Sequence, residues 1–176
     1  MSTIIFETER IFGRHIERSD AKNMLAVYGD QEGMRFVGDG KPLDLDACKG
    51  WIEIIFKKYD KWGYGMSALV RRTDGDVIGF CGLVHPNDQV ETEVKYALRK
   101  DCWGQGYATE AVAALLAYGQ RGFNIEYMIA TVNPANIASQ RVLEKAGMVR
   151  GHLRPNADGS FTQMFTLGRH SGEASA

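Results

Sequence analysis

The chain has 176 residues, of which 24% are charged, and its 21 basic and 22 acidic side chains leave a formal net charge of −1. This length is enough for one well-buried core and short for two independent domains, and the balanced charge gives no global attraction to nucleic acid or to an anionic membrane. We therefore expect a single domain over residues 1–168, followed by a frayed tail at 169–176.

The start of the chain lacks the basic and long apolar segments of a secretory signal, and no run approaches the ~18 apolar residues of a membrane helix. We therefore expect a soluble, cytoplasmic protein. Cys48, Cys81 and Cys102 are odd in number and without C-x-x-C spacing. They predict reduced, packed thiols rather than a disulfide framework or a zinc site.

The first third of the chain predicts a strand and two helices. Apolar stretches interrupted by charges are compatible with a bent or bulged strand at 4–16. A short helix is predicted at 19–29, and Asp44 or Asp46 is expected to cap a longer helix that ends before Gly63.

From residue 64 onward, the pattern changes to the period of strands. The predicted strands are 66–70, 77–84, 91–99, 125–132, 148–153 and 161–167. An Asp-Gly turn joins the first two, and helices are expected from the 102–109 segment to about Gly122 and from Asn136 to Ala146. A meander of strands followed by a strand–helix–strand–helix unit predicts an α/β sheet of mixed direction.

The segment 102–109, C-W-G-Q-G-Y-A-T, joins a predicted strand to a predicted helix. Its two glycines allow a tight turn and a close approach to a ligand. The first turn of a helix has unpaired N–H groups and the positive end of the macrodipole, so it can hold a phosphate or pyrophosphate without a basic side chain. The segment therefore predicts an anion site.

Other glycine-rich sites fit this segment less well. A dinucleotide fingerprint would have a third glycine where Thr109 stands, and an acidic residue for the ribose where the next strand ends in Thr131-Val132-Asn133. A nucleoside-triphosphatase loop would continue with Gly-Lys-Ser/Thr, which is not found here. A plain tight turn is the remaining alternative.

The chain resembles the GCN5-related N-acetyltransferases (GNAT), in the branch similar to the ribosomal-protein N-terminal acetyltransferases. The branch pattern W-G-x-G-Y-A-T-E-A is matched throughout 103–111, although Trp103 stands where the wider family has Gln or Arg. A second pattern, N-x-x-S-x-x-x-L-E-K-x-G-[FM], is matched from Asn136 to Met148, and Thr8-Glu9-Arg10 is a weaker likeness.

The resemblance implies a domain that binds acetyl-CoA, without a metal, and moves its acetyl group to an amine. It implies a sheet that splays between the strands 91–99 and 125–132, with the pantetheine in the gap, paired with the Leu98 backbone. Asn136 would cap its helix and contact the cofactor. The loop expected to bind the cofactor comprises Trp103, Gly104, Gln105, Gly106, Tyr107, Ala108 and Thr109.

Two side chains are candidates for proton transfer. An alkylammonium must give up about 4 kcal/mol to be deprotonated at neutral pH, and an α-ammonium about 1 to 1.5 kcal/mol, so a base is useful. Glu93 is the candidate base, because Glu93-Val94-Lys95-Tyr96 resembles the family's E-[IV]-G-Y; the alternative is a solvated carboxylate paired with Lys95 or Arg99.

Ser139 is placed by the resemblance near the thioester sulfur, where it could protonate the departing thiolate; the alternative is a helix serine bonded to the preceding turn. His85 is expected to be a loop histidine. The aromatic residues of the long helix, Trp51, Phe56, Tyr59 and Trp62, are expected in the core or in a pocket wall that favours an apolar or aromatic acceptor.

We predict an acetyl-CoA-dependent N-acetyltransferase that works by direct attack in a ternary complex. The acceptor is expected to be a protein N-terminus or a small-molecule amine, and the protein a monomer or homodimer without nucleic-acid or membrane partners. The alternatives are a noncatalytic acyl-CoA-binding module and a transferase that uses another acyl donor.

Overall fold

The computed structural model describes residues 2–169, so that all of the predicted tail beyond residue 169 lies outside the described residues. The strands are β1 Ile4–Glu7, β2 Ile11–His15, β3 Met66–Arg71, β4 Val77–Val84, β5 Thr92–Leu98, β6 Met128–Val132, β7 Val149–Pro155 and β8 Phe161–Leu167. The α-helices are α1 Ala21–Tyr28, α2 Gln31–Met34, α3 Leu45–Trp62, α4 Tyr107–Phe123 and α5 Ile137–Lys145.

The strands form one eight-stranded sheet in the order β1-β2-β3-β4-β5-β6-β8-β7. All neighbouring strands run antiparallel except β5 and β6, which run parallel. This confirms the predicted α/β fold with a mixed, mostly antiparallel sheet.

The sheet opens between β5 and β6, as the family resemblance implies. The two strands pair at Thr92–Met128 and Glu93–Ile129, and the rest of β5 is not paired with β6. The gap therefore starts directly after Glu93 and widens toward the loop that follows β5.

Helices pack on both faces of the sheet. Val112 and Leu115 of α4 belong to one buried cluster, whereas Met24 of α1 and Ile52 of α3 belong to the other. The helix ends follow the predicted caps: Asp44 accepts a hydrogen bond from the Ala47 amide at the start of α3. No helix among the described residues has the combination of length and apolar content that a membrane span needs.

The N-terminal region differs from the prediction. Instead of one bent strand, β1 and β2 form an antiparallel hairpin whose turn carries Thr8 and Arg10. Strand β6 starts at Met128, three residues later than predicted, and a short helix, α2, forms between the two predicted helices. A charged residue at the tip of a tight hairpin is a weak turn signal, which explains why the reversal is not evident in the sequence.

Candidate active site

Two cavities meet in the gap of the sheet. The loop cavity, about 530 Å³, is bordered by residues 103–109, and the α3 cavity, about 650 Å³, lies against α3 and the end of β4. Their linings share the residues Phe36, Val37, Tyr96, Ala97, Asn136 and Ser139. The site therefore has two compartments with a common junction.

The glycine loop has the geometry of an anion site. Gly104 and Gly106 adopt left-handed φ angles of 70° and 82°, and Gly106 is the N-cap of α4. Because a glycine has no side chain to cap the helix, the first-turn N–H groups stay available to a ligand. These features fit a pyrophosphate, and a 17-residue helix supplies the dipole behind it.

A clasp from the N-terminal hairpin holds the start of α4. Thr8 Oγ1 donates to Glu110 Oε1 at 2.5 Å, and Arg10 forms a 2.7 Å ion pair with Glu110 and a 2.9 Å hydrogen bond to the Gln105 carbonyl. The Arg10 guanidinium also lies 4.6 Å from the centre of the Tyr107 ring. The Thr8-Glu9-Arg10 segment, a weak match to the family, thus contacts the glycine-loop motif. The sequence did not indicate this contact.

The clasp affects the ionisation of Glu110. Partial burial opposes the charged form, but the hydrogen bonds from Thr8 and Arg10 and the charge of Arg10 outweigh it, and the pKa of the Glu110 carboxyl is lowered. Glu110 is therefore a carboxylate at neutral pH, and it forms a charged pair with the Arg10 guanidinium.

Trp103 anchors the loop to β5. Its indole N–H donates to the Leu98 carbonyl at 2.8 Å, and Leu98 itself is buried. This gives a structural role to the residue that departs from the wider family's Gln or Arg. The contact uses one lone pair of the Leu98 carbonyl, the residue whose backbone is expected to pair with pantetheine.

A hydrogen-bonded group lies at the junction of the cavities. Tyr96 Oη is 2.6 Å from Ser139 Oγ and donates to the Ser139 carbonyl at 3.1 Å, while the Asn136 side chain accepts from the Ser139 amide at 3.1 Å. Asn136 is thus the predicted N-cap of α5. Burial raises the pKa of Tyr96 to about 12, against the opposing effect of the Ser139 hydrogen bond, so Tyr96 is protonated at neutral pH.

Glu93 lies at the point where the sheet opens, next to residues that line the α3 cavity. Its side chain is 4% exposed, and its carboxylate contacts the Lys95 ammonium and accepts a hydrogen bond from Thr131. Lys95 and Thr131 line the α3 cavity and are 3.0 Å apart, whereas Glu93 lies behind them. The carboxylate is paired with Lys95, as one alternative expected, but it is buried rather than solvated.

His85 lies in the loop directly after β4, as predicted, and its side chain is buried in the wall of the α3 cavity. Its ring stacks on Trp62 with centroids 3.8 Å apart, Nε2 is 2.8 Å from Tyr64 Oη, and Nδ1 is 2.9 Å from the Gln89 carbonyl. A carbonyl can only accept, so Nδ1 carries a hydrogen, and in the neutral ring Nε2 accepts from Tyr64. No local sequence pattern marks this arrangement, because its members come from two segments, and 21 residues separate Tyr64 from His85.

The aromatic residues of α3 divide between wall and core. Trp51 and Trp62 line the α3 cavity, and Trp51 also meets Tyr28 edge to face at 5.3 Å. Tyr59 instead stacks on His15 and accepts from the Ile16 amide at 3.0 Å. The expectation of a pocket wall therefore holds for the two tryptophans.

Residues 10–149 match the sequence profile of the acetyltransferase (GNAT) domain, and the chain belongs to this family. Acetyl-CoA-dependent acetyl transfer is the activity of the family, and the fold and the two-part site described above agree with it.

Individual proteins support the assignment. The uncharacterized N-acetyltransferase p20 of Bacillus licheniformis is 28% identical over 167 residues, which are 91% of this chain and 93% of p20. A GNAT-family acetyltransferase from Bacillus anthracis has a similar structure, with a TM-score of 0.79, 20% identity and coverage of 94% and 98%. RimL, a ribosomal L7/L12 α-N-protein acetyltransferase solved in complex with coenzyme A, gives a TM-score of 0.79 at 14% identity, with coverage of 94% and 98%.

Proposed function

We propose that this protein transfers the acetyl group of acetyl-CoA to a primary amine by direct attack in a ternary complex. The observation that carries the proposal is the meeting of two cavities at Tyr96 and Ser139. Direct attack needs both substrates in one site with the reacting atoms in contact, and this junction provides such a place.

The loop cavity is the proposed donor site. The amides of residues 104–108 would hold the pyrophosphate, the Leu98 backbone would pair with the pantetheine, and Asn136 would contact the cofactor. The remaining predicted contacts are Trp103 and Thr109, which also line this cavity. The similar fold of RimL, which was solved with coenzyme A, supports this assignment. When bound, acetyl-CoA supplies an activated acyl group.

Glu93 is the proposed base. Because it lies behind Lys95 and Thr131, the ammonium proton would reach it through the Thr131 hydroxyl or through water rather than by direct contact. Lys95 stands where the family pattern has glycine, and it balances the carboxylate in the free protein. The amine would then attack as a neutral nucleophile.

Ser139 is the proposed partner of the leaving thiolate. Its hydroxyl can donate a proton or a hydrogen bond there, while the protonated Tyr96 hydroxyl, 2.6 Å from Ser139 Oγ, orients it. A thiol of pKa about 8.5 is already a fair leaving group, so this step needs modest help. Tyr96 is a positioning residue that sequence analysis placed on the strand without assigning it a role.

Release of free thiol from acetyl-CoA, measured across peptides, polyamines, amino acids and aminoglycosides, tests the proposal. We expect turnover with at least one amine and saturable binding of acetyl-CoA by calorimetry. Acetyl-CoA binding without turnover on every acceptor would favour the noncatalytic module, and turnover with only a longer acyl-CoA would favour another donor. Absence of acetyl-CoA binding would overturn the proposal.

A further inference from the structure

We propose that the acceptor is a small primary amine with one positive charge and an aromatic or branched apolar body; this inference rests on the proposed acetyl transfer. The first support is a stripe on α3 that lines the α3 cavity. Trp51, Ile54 and Trp62 lie on this stripe. A different stripe of α3, which includes Cys48 and Ile52, is buried in the core. Spacings of three and four residues place neighbours on one helix face.

Part of this stripe is open to solvent. Trp51 is 39% exposed and Ile54 is 51% exposed, although both side chains are large and apolar. An apolar body bound against them would remove this surface from water. The gain in free energy is favourable and does not depend on a particular orientation of the ligand. The stripe therefore favours an acceptor with an apolar body.

The aromatic character continues from the end of the stripe. The ring of Trp62 stacks on His85, and the Tyr64 hydroxyl is hydrogen-bonded to His85. All three residues line the cavity, and none of them is a carboxylate. These rings extend the apolar lining beyond the exposed part of α3, which suits a flat or branched apolar group.

The charges of the cavity disfavour a second ammonium. Among the described residues that line it, Asp39 is the single acid, and its side chain is 67% exposed and 3.6 Å from Lys41. Lys58 and Lys95 are also in the lining, and they already engage the nearest carboxylates, Asp88 and Glu93. A second buried ammonium would therefore lack a free carboxylate as its partner. Polyamines and aminoglycosides carry several such groups.

The size of the cavity favours a small molecule. A volume of about 650 Å³ lies within the ~300–1,000 Å³ range of small-ligand sites, which are mostly apolar with a few convergent polar groups. With the amine at the Tyr96–Ser139 junction, the body of the acceptor points toward Trp51. This orientation places the reactive nitrogen next to the donor compartment.

The inference predicts a charge rule: an acceptor with one ammonium binds better than the same molecule with two. Calorimetric titration of the coenzyme A-loaded protein tests this charge rule with a matched pair of amines. Pentylamine and 1,5-diaminopentane have the same carbon chain and differ by one ammonium, and 2-phenylethylamine adds the aromatic body. We expect 2-phenylethylamine to bind most tightly and the diamine at least tenfold more weakly than pentylamine. The values of kcat/KM with acetyl-CoA should follow the same order.

Three results would overturn the inference: equal or tighter binding of the diamine, tighter binding of a short peptide through its N-terminus, or no binding of any of these amines to the coenzyme A-loaded protein. In each case, acetyl-CoA binding and turnover with another amine would leave the proposed function intact. Loss of acetyl-CoA binding itself would contradict both this inference and the proposed function.

Substitutions at two isoleucines of similar exposure test whether the acceptor binds in the α3 cavity. Ile54 and Ile4 are 51% and 50% exposed, but only Ile54 lines the α3 cavity. Ile54→Ala should weaken 2-phenylethylamine binding several-fold, Ile4→Ala should not, and both should keep the acetyl-CoA affinity. Ile54→Glu should raise the affinity for 1,5-diaminopentane relative to pentylamine, because it supplies the missing carboxylate. An unchanged ratio would contradict the charge rule.

Discussion

The loop cavity and the α3 cavity are built in different ways. Most of the loop-cavity lining comes from two continuous segments, the glycine loop with the start of α4 and α5 with its N-cap, and the rest comes from residues 32–37 and the end of β5. The wall of the α3 cavity combines side chains from α1, α3, β4 and β5 that are far apart in the chain. A site made of backbone amides depends on a local sequence pattern, here two glycines before a helix. A site made of side-chain surfaces can be built from many different sequences.

The largest effect on acetyl-CoA affinity is expected at Gly106, where the backbone of the loop is proposed to approach its ligand. Gly106 has φ 82°, and a Cβ there would lie 3.3 Å from Arg10 Nη2. Gly106→Val should therefore lower acetyl-CoA affinity on the order of 100-fold, because it combines left-handed strain of ~1–2 kcal/mol with crowding of the anion site. Calorimetry measures the change.

Gly75→Val is the matched control for backbone strain. Gly75 has φ 77° in the β3–β4 turn, and a Cβ there would meet nothing within 4 Å. This variant should lose a similar amount of stability and keep its acetyl-CoA affinity. Equal losses of affinity in the two variants would show that the effect at Gly106 is general destabilisation.

The largest effect on turnover is expected from the loss of the proposed base. Glu93→Gln should lower kcat by ~10²–10⁴-fold, with the larger deficit at lower pH, where the acceptor is more fully protonated. Acetyl-CoA affinity should not change, because Glu93 does not line the loop cavity. The pH profile of kcat distinguishes this from a structural effect.

Glu91→Gln provides the comparison on the same segment, since Glu91 lies just before β5 and outside both cavities. It should retain the wild-type rate and pH profile. Wild-type turnover by Glu93→Gln would remove Glu93 as the base.

A smaller effect is expected at the junction. Ser139→Ala and Tyr96→Phe should each slow turnover at saturating acceptor by ~10-fold, below the usual range for general acids, because the thiolate leaves readily. Since Tyr96 Oη and Ser139 Oγ are 2.6 Å apart, the double variant should lose less than the sum of the two free-energy changes. Fully additive losses would argue that the two hydroxyls act separately.

The smallest effect concerns the clasp at Glu110. The Glu110 pKa is lowered in the fold, so the stabilisation is present above the unfolded pKa of ~4.3 and disappears as the pH falls through the folded value. Arg10 is 44% exposed, and solvent screening limits the ion pair to about 1 kcal/mol. Glu110→Gln should therefore be less stable than wild type at pH 7.

Urea denaturation at pH 7 and pH 3 checks this linkage. The difference in unfolding free energy between Glu110→Gln and wild type should shrink at pH 3. A difference that is the same at both values would show that the carboxylate charge does not contribute.

Parts of the fold and site with local signals were predictable from sequence. The period of the strands, the Asp44 and Asn136 caps and the glycine loop all depend on neighbouring residues, and the structure has each of them. The clasp on Glu110 was not predictable, because Thr8 and Arg10 are about a hundred residues away from it. The Tyr96–Ser139 contact was missed for the same reason, as 43 residues separate its members.

The sequence alone determined the anion-site geometry that we propose as the donor half: a strand, two glycines and a helix N-terminus make such a site because their amides and dipole are properties of the backbone. The tertiary structure decided the proposed acceptor half. It buried Glu93 behind Lys95 and Thr131, and it joined Trp51 and Trp62 of α3 with His85 in the lining of one cavity. The direction in which a side chain faces depends on the packing of distant elements, and no pattern of adjacent residues encodes that packing.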